Sequence, residues 1–316
     1  MKECNKIVIL CGGYSSSERE ISLKGGEAVC RALADILNVV KIHLDADEIP
    51  VKLDPKTDVI FPILHGEFGE DGQLQRLLET TGFGFAGSDS QSSALCMNKL
   101  RAKTLALELG INTAKFVELE SRQYEYEELC DAFSGHPFVL KPVGKGSSIG
   151  VHRIFAKSDW LAVCGEVLRG DWFVEEHVRG REITVPILGH KSLPMIEIMP
   201  KSGFYDYRHK YVAGMTEYIV PAKIDHGLVA VFSEWSEKIY ANCGCRDFGR
   251  IDFILSNEGV VNFLEINTIP GMTATSLFPK SAAYNGLSFQ ELCVEMIMPV
   301  LKRSGISLKN VLLSSN

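Results

Sequence analysis

Two apolar segments joined by a short turn constrain the fold of this 316-residue chain more than any other feature. Phe248 to Ser256 and Val260 to Ile266 are apolar at alternate positions, which is typical of strands with one buried face. The turn between them, Asn257 to Gly259, ends in a glycine that adopts positive φ without steric cost. The pattern predicts an antiparallel hairpin, in which a two-residue loop would pair Asn257 with Val260.

Polar side chains interrupt both predicted strands at matching positions. The predicted register sets Asp252 opposite Glu265 and Arg250 opposite Asn267, and side-chain alternation puts all four on one face. Two adjacent carboxylates repel each other unless a cation lies between them, and hard oxygen ligands suit Mg²⁺. A solvated outer face would carry the same residues. The small-residue loop that follows, Thr268 to Ser276, favours the metal site because it permits close backbone contact with a ligand.

Composition argues against several classes of function. The chain is 46% apolar and 23% charged, as in soluble globular proteins, and its length predicts two or three domains. A net charge of −7 and a pI near 5.7 argue against nucleic acid as the main partner. The nine cysteines form no C-x-x-C pair, which predicts reduced thiols and a cytoplasmic location. Because no apolar run approaches the ~18 residues of a membrane span, no membrane association is expected.

The first part of the chain alternates predicted strands with a helix. Lys6 to Cys11, Val39 to Leu44 and Val59 to Leu64 are predicted strands, and Ile21 to Ile36 has the apolar spacing of a helix. Short connections of this kind predict a parallel sheet, whose functional loops lie at the carboxyl ends of the strands. A dehydrogenase is a weaker alternative, because the loop after the first strand lacks the G-x-G-x-x-G fingerprint.

Glycine-rich and aromatic segments mark two further candidate loops. Phe138 to Pro142 is a predicted strand, and the loop from Gly144 to Gly150 suits a flap whose backbone N–H groups bind phosphate oxygens. An ordinary turn would have the same composition. Phe204 to Tyr211 is polar and aromatic without a clear period, which within a compact domain is typical of a functional or disordered loop.

Seven short motifs follow one another along the chain: GG…SSERE-ISL from Gly12, HG-x-x-GEDG from His65, MNK from Met97, VLKP from Val139, FYDY-x-x-KY from Phe204, GRIDF from Gly249 and LEINTIPGMT from Leu264. In this order they resemble the motifs of the D-alanine–D-alanine ligases of the ATP-grasp superfamily. The resemblance covers Ile7 to about Pro299. It departs from the family at one extra residue before Glu18, and at Asn98 where Asp is usual; Asn and Asp cap helices about equally well.

The resemblance implies how the two amino-acid substrates are held. Glu18 would bind the ammonium group of the first D-alanine, with His65 nearby, and Ser276 would hold the carboxylate of the second. Tyr211 would bond to Glu18 and Ser147 and so clamp the lid over the site. Because lactate-preferring members typically have Phe at the position of Tyr211, the resemblance implies a dipeptide product rather than a depsipeptide.

The resemblance also implies an oxyanion site, a nucleotide site and a metal site. Arg250 and the backbone N–H of Gly271 would stabilise the oxyanion. Glu175 or Glu176 would face the adenine edge. The residues implied for ATP are Lys99, Lys141, Gly146, Ser148, Glu175, Glu176, Glu182 and Lys210. The residues implied for two Mg²⁺ or Mn²⁺ ions are Asp252, Glu265 and Asn267.

The implied fold is α/β with α+β elements: a three-domain ATP-grasp enzyme whose N-terminal domain is a Rossmann-like parallel sheet. The implied domains are an N-terminal substrate domain at 1–95, a central subdomain at 96–177, and a C-terminal subdomain at 178–316 with the metal site and the lid. The implied activity is ATP-dependent joining of two D-alanine molecules for peptidoglycan synthesis, by a cytoplasmic homodimer. The alternatives are a ligase of this fold that uses D-lactate or D-serine, and a nucleotide-binding regulator without activity.

Overall fold

The computed structural model describes residues 6–13, 18–50, 52–201 and 215–306, which form three sheets with helices packed on them. The first sheet is parallel and has the strand order β2-β1-β3-β4. Its strands are β1 (Lys6–Gly12), β2 (Val39–Leu44), β3 (Asp58–Pro62) and β4 (Gly84–Phe85), and helices α1 (Arg19–Leu33) and α2 (Gln73–Thr81) follow β1 and β3. The predicted parallel sheet is confirmed.

The second sheet is antiparallel and follows two helices, α3 (Ser90–Met97) and α4 (Lys99–Glu108). Its strands are β5 (Phe116–Leu119), β6 (Phe138–Pro142), β7 (His152–Ile154) and β8 (Trp172–Glu176), in the order β5-β8-β6-β7. Helices α5 (Tyr126–Ala132) and α6 (Lys157–Val163) and a 3-10 helix (Cys164–Arg169) share a core with this sheet around Phe138 and Trp160. The predicted flap loop therefore joins two paired strands, β6 and β7.

The third sheet is also antiparallel and carries the hairpin from which the sequence analysis began. Its strand order is β12-β11-β9-β13-β14, with β10 paired to β9. The strands are β9 (Gly180–Leu188), β10 (Lys191–Ser192), β11 (Ile196–Pro200), β12 (Thr216–Ile219), β13 (Phe248–Ser256) and β14 (Val261–Asn267). Helix α7 (His226–Asn242) packs on β9 and β13, and α8 (Leu277–Tyr284) and α9 (Phe289–Arg303) follow the loop after β14.

The hairpin has the predicted pairing of its polar residues but not the predicted loop. Ser256 donates its backbone N–H to Val260 O at 2.8 Å, so the loop has three residues, and the predicted pairing of Asn257 with Val260 is wrong. The register shifts back by one residue at Leu264, which has no partner in β13. The extra residue in the loop and the unpaired Leu264 compensate each other, so Asp252 lies opposite Glu265 as predicted.

Both faces of the first sheet are buried, which explains the continuous apolar run of β1. Ile7 and Ile9 pack on one side in a cluster that includes residues of α9, while Val8 and Leu10 pack with α2 on the other. Helix α9 therefore returns to the first sheet, and the same cluster includes Phe248 of the third sheet. Among the described residues, no helix is long and apolar enough to cross a membrane.

A glycine positions the loop between β3 and α2. Gly72 has φ +92°, and a Cβ there would lie 2.4 Å from the backbone oxygen of Ser90. We expect Gly72→Ala to lower the free energy of unfolding by at least about 2 kcal/mol, because backbone strain and a clash with main chain add together. Gly82→Ala is the matched control: φ there is +82°, but only a side-chain atom of Pro55 lies within 4.0 Å. If urea unfolding shows that Gly72→Ala and Gly82→Ala lose the same free energy of unfolding, the predicted clash at Gly72 is contradicted.

Candidate active site

Loops from all three sheets meet around a first cavity, here called the substrate cavity. Glu18 lies just before α1, His65 follows β3, Ser147 lies in the flap loop and Arg250 lies on β13. The predicted site residues that line this cavity are Glu18, His65, Lys99, Gly146, Ser147, Arg250, Glu265, Asn267, Gly271 and Ser276. The structure thus brings together residues that the sequence analysis assigned to the amino-acid substrates and to the oxyanion.

A second cavity, here called the nucleotide cavity, lies between the second and third sheets. The predicted residues that line it are Lys99, Lys141, Ser148, Glu175, Glu176, Glu182, Asp252 and Glu265. Lys99 and Glu265 line both cavities. A ligand that fills the second cavity would therefore reach the first at these two side chains.

A direct contact joins the N-terminal part of the chain to the flap loop. The hydroxyl of Ser147 donates a hydrogen bond to the carboxylate of Glu18. Ser147 and Ser148 have φ of +52° and +57°, a left-handed conformation that costs roughly 1–2 kcal/mol in non-glycine residues. The contact closes the flap over the substrate cavity. Tyr211, the predicted third member of this clamp, and Lys210 lie outside the described residues.

Charged side chains form close pairs on the predicted face of the hairpin. Asp252 is buried and accepts hydrogen bonds from Arg250 Nε at 2.9 Å, Arg250 Nη2 at 2.8 Å and Thr184 Oγ1 at 2.5 Å. Lys99 Nζ lies 3.1 Å from Glu265 Oε2. Each of these two carboxylates therefore has a cationic partner within hydrogen-bond distance, Arg250 for Asp252 and Lys99 for Glu265.

The donor set on this face fits a hard divalent cation. Asp252, Glu265 and Asn267 supply carboxylate and amide oxygens, the ligand type that Mg²⁺ takes. Asn267 Oδ1 accepts the backbone N–H of Ile269 at 3.1 Å, which fixes the orientation of the amide. The described residues contain no cluster of three or more His, Cys, Asp or Glu side chains suited to a metal. A cation here would complete its shell with phosphate oxygens and water, as is usual for Mg²⁺.

The loop after β14 folds back on itself at the far wall of the substrate cavity. Ser276 Oγ accepts the backbone N–H of Thr273 at 3.0 Å and lies 2.8 Å from Thr273 Oγ1. A Cβ at Gly271 would lie 2.9 Å from Ser276 Oγ, so only glycine lets the two segments approach this closely. The backbone of Gly271 and the hydroxyl of Ser276 are thereby held next to each other.

A second buried carboxylate, which the sequence analysis missed, lies beside Glu18. Glu70 was not among the predicted site residues; it lies before α2, which begins at Gln73, and it lines the substrate cavity. Its Oε2 accepts the backbone N–H of Gly66 at 2.6 Å. Burial, with a smaller contribution from Glu18, raises the pKa of Glu70 to about 8. The sequence feature that could have identified Glu70 as a site residue is its position in the HG-x-x-GEDG motif that begins at His65.

We expect Glu70→Gln to change how stability depends on pH. A raised pKa means that folding takes up a proton between about pH 4.5 and 8, so the wild type loses stability as pH rises through this window. Glutamine mimics the protonated carboxyl and removes that loss. Relative to wild type, the variant should therefore gain up to a few kcal/mol of unfolding free energy between pH 4.5 and 8.

Urea unfolding across this pH range measures the effect. Glu67→Gln, which removes an exposed carboxylate from the same loop, is the control. If the unfolding free energies of Glu70→Gln and wild type change with pH in the same way, the proposed ionisation of Glu70 is wrong.

Glu175 differs from its neighbour Glu176 in what surrounds its carboxylate. Its Oε2 lies 2.8 Å from Lys103 Nζ, and its Oε1 forms an ion pair with Lys141. One of the two carboxylates predicted to face adenine, Glu175, is thus engaged by two lysines. Glu175, Glu176 and Glu182 all line the nucleotide cavity. Lys103 was not a predicted site residue.

Comparison with known proteins accounts for this arrangement. A model of the D-Ala–D-Ala ligase C-terminus matches residues 105–298, and a model of the N-terminus of the same ligases matches residues 45–88. A D-alanine–D-alanine ligase from Anaeromyxobacter sp. (strain Fw109-5) is 40% identical over 296 residues, which cover 92% of this chain and 96% of the relative. The chain belongs to the D-alanine–D-alanine ligase family.

Solved structures agree with the family assignment. The D-alanine–D-alanine ligase from Bacillus anthracis complexed with ATP superposes with a TM-score of 0.80 at 28% identity, covering 95% of this chain and 98% of that one. A D-Ala:D-Ser ligase from Enterococcus faecalis superposes with a TM-score of 0.76 at 28% identity, covering 94% of this chain and 100% of that one. The predicted family and the predicted ATP-grasp fold are confirmed.

Proposed function

We propose that this protein joins two D-alanine molecules into D-alanyl-D-alanine at the expense of ATP, for peptidoglycan precursor synthesis. The observation that carries the proposal is the meeting of the substrate cavity and the nucleotide cavity at Lys99 and Glu265. A nucleotide in the second cavity would place its terminal phosphate at this junction, next to an amino-acid carboxylate in the first. The Bacillus anthracis ligase of the same fold is complexed with ATP, which supports a nucleotide as a ligand of this chain.

The reaction has two steps. A carboxylate oxygen of the first D-alanine attacks the γ-phosphorus of ATP, ADP leaves, and an acyl phosphate forms. The amine of the second D-alanine then attacks the acyl carbon and releases a proton, and phosphate leaves with the oxygen that attacked in the first step. Negative charge develops on the transferred phosphoryl oxygens in the first step and on a tetrahedral oxyanion in the second.

The residues on the cavity walls match these two demands. Lys99 and Lys141 face the path of the phosphates and serve the first step. Arg250 and the backbone N–H of Gly271 lie on the substrate cavity and serve the second. Glu18 supplies the anionic partner for the ammonium group of the first substrate. Lys210 is proposed to reach the γ-phosphate from the lid.

Two Mg²⁺ or Mn²⁺ ions are part of the proposal, with Asp252, Glu265 and Asn267 as their protein ligands. When bound, they would neutralise charge on the transferred phosphate. Assembly as a homodimer in the cytoplasm completes the proposal and rests on the family resemblance. The metal ligands and their neighbours Arg250 and Lys99 are all present, which favours an active enzyme over a regulator without activity.

The closest alternative is a ligase of the same fold with another second substrate. One solved structure of this fold, from Enterococcus faecalis, is named a D-Ala:D-Ser ligase. Tyr211 favours an amine nucleophile over D-lactate, on the resemblance described above. Because D-serine also has an amine, D-alanine is proposed over D-serine on the family resemblance alone.

Product analysis tests the proposal. The purified protein receives ATP and Mg²⁺ with D-alanine alone, and then with D-alanine together with D-serine or D-lactate; L-alanine is the control. We expect D-alanyl-D-alanine as the main product and phosphate release only with the D-enantiomer. A mixed product that predominates at neutral pH would contradict D-alanine as the second substrate. No phosphate release with any of these substrates would contradict ligase activity.

A further inference from the structure

A fully buried lysine lies behind the nucleotide cavity without lining it. Lys103 is on α4, one turn after Lys99, and its side chain is inaccessible to solvent. Its Nζ lies 2.7 Å from Thr113 Oγ1, 3.4 Å from Phe263 O and 2.8 Å from Glu175 Oε2. Because an isolated buried ammonium is very costly, these partners are what make the charge tolerable. Burial is also the main cause that lowers the pKa of Lys103.

Glu175 connects this lysine to the cavity. One carboxylate oxygen contacts Lys103 and the other contacts Lys141, whose side chain is on the cavity wall. Burial alone would raise the pKa of Glu175, but the two ammonium groups outweigh burial and hold that pKa at about 2. The carboxylate is therefore ionised, and the group of three carries two positive charges and one negative charge.

The charge balance of this group depends on Lys103. A pair of Glu175 and Lys141 alone would be neutral, whereas the group of three keeps one unit of positive charge. Other carboxylates face Lys141 as well, namely Glu265, which is paired with Lys99, and Glu182. Removing the Lys103 charge would therefore leave the wall one unit more negative where an anionic ligand binds, in a partly buried setting where charges are poorly screened.

The position of Lys103 is fixed from two directions. Thr113 and Phe263 form an isolated bridge between the segment before β5 and strand β14, and Thr113 Oγ1 also donates to Phe263 O at 2.7 Å. Lys103 binds both members of this bridge, so the third sheet anchors its ammonium group. The second sheet supplies Glu175, and the lysine thus joins the two walls of the cavity.

We propose that Lys103 is a positioning residue that takes up one oxygen of Glu175, so that Lys141 presents net positive charge to the phosphates of a nucleotide. This inference rests on the proposed function, which places a nucleotide in this cavity. A lysine that only fills space in the core would affect all ligands of the cavity alike. A lysine that sets charge affects only ligands that carry phosphate.

The test compares the dissociation constants of ATP, ADP and adenosine by calorimetry for wild type and Lys103→Met, which keeps the length of the side chain. We expect ATP and ADP binding to weaken by roughly 10- to 100-fold, the range for losing an interaction with a charged group, while adenosine binding changes by no more than about twofold. Equal weakening of all three ligands, or no change in any, would overturn the inference.

The double variant Lys103→Met/Glu175→Gln separates charge from packing. It removes one positive and one negative charge and so restores the net charge of the wild-type group. We expect its ratio of ATP to adenosine affinity to return to within about threefold of wild type, because charge coupling between neighbouring sites is non-additive. A ratio as low as in Lys103→Met would overturn the inference. If Lys103→Met does not fold, a ratio in the double variant that differs from wild type by more than about threefold overturns the inference.

The wild-type measurement distinguishes the two levels of the argument. If the wild type binds none of the three ligands, or binds ATP no better than adenosine, the proposed function fails and the inference fails with it. If the wild type prefers ATP and Lys103→Met retains that preference, the inference alone is wrong.

Discussion

Replacing Arg250 with alanine is expected to lower the rate of ligation by roughly 10²- to 10³-fold, the usual cost of losing one oxyanion donor. ATP affinity should change little, because Arg250 lines the substrate cavity and not the nucleotide cavity. The guanidinium is held in place by two hydrogen bonds to Asp252, at 2.9 and 2.8 Å. These bonds fix the guanidinium on the wall of the substrate cavity, and a donor fixed in advance is the condition for a large effect on rate.

The measurement for Arg250 combines steady-state ligation with direct nucleotide binding. Arg250→Lys is the matched variant, because it keeps the charge but loses the planar, two-pronged contact with Asp252. Its rate should lie between those of wild type and Arg250→Ala. Removing the guanidinium leaves Asp252 with fewer partners and could destabilise the fold. Thermal unfolding of each variant is therefore the control for folding. Ligation by Arg250→Ala near the wild-type rate would contradict the assigned role, and a large loss of ATP affinity would make Arg250 a phosphate ligand.

Asp252→Asn and Glu265→Gln should each raise the Mg²⁺ concentration that gives half-maximal activity. Each substitution removes one anionic oxygen from a site where two carboxylates lie opposite each other across β13 and β14. Loss of even an outer partner of a metal site typically costs roughly 10- to 100-fold in affinity, so loss of a ligand should cost at least tenfold. The effect should appear as a shifted metal titration with ATP held saturating.

Glu258→Gln is the control for the metal titrations, because Glu258 lies in the turn of the same hairpin and away from the paired face. Its titration should overlay that of the wild type. If the titrations of Asp252→Asn and Glu265→Gln also overlay the wild type, the protein does not hold its metal at this face.

The hairpin shows how much of this site the sequence could predict. Alternation of apolar residues located both strands, and the pairing of Asp252 with Glu265 was correct. The loop length was not, because a three-residue turn and the unpaired Leu264 compensate each other, and neither leaves a distinct pattern in the sequence. Helix capping needs only local sequence: Asn98, a residue type that favours helix N-termini, accepts the backbone N–H of Arg101 at 2.9 Å.

Residues whose environment comes from several sheets could not be interpreted from local patterns. Lys103 lies in a helix where a lysine is ordinarily exposed, and only the packing of α4 between the second and third sheets buries it. The sequence around Glu70 did not show that it is buried, and its raised pKa comes from that burial and, to a smaller extent, from Glu18, which is distant in sequence. The motifs placed the other residues of the site near one another, but the contacts around each side chain come from the fold.

The transfer of oxygen from substrate to phosphate tests the central claim most directly. The claim is that the two cavities form one active site, in which the carboxylate of the first D-alanine accepts the γ-phosphoryl group. The protein is given ATP, Mg²⁺ and D-alanine labelled with heavy oxygen in both carboxylate positions, and the released phosphate is examined by mass spectrometry. We predict that each phosphate carries one heavy oxygen and that the dipeptide forms in equal amount. Phosphate without heavy oxygen, released alongside the dipeptide, would contradict the account.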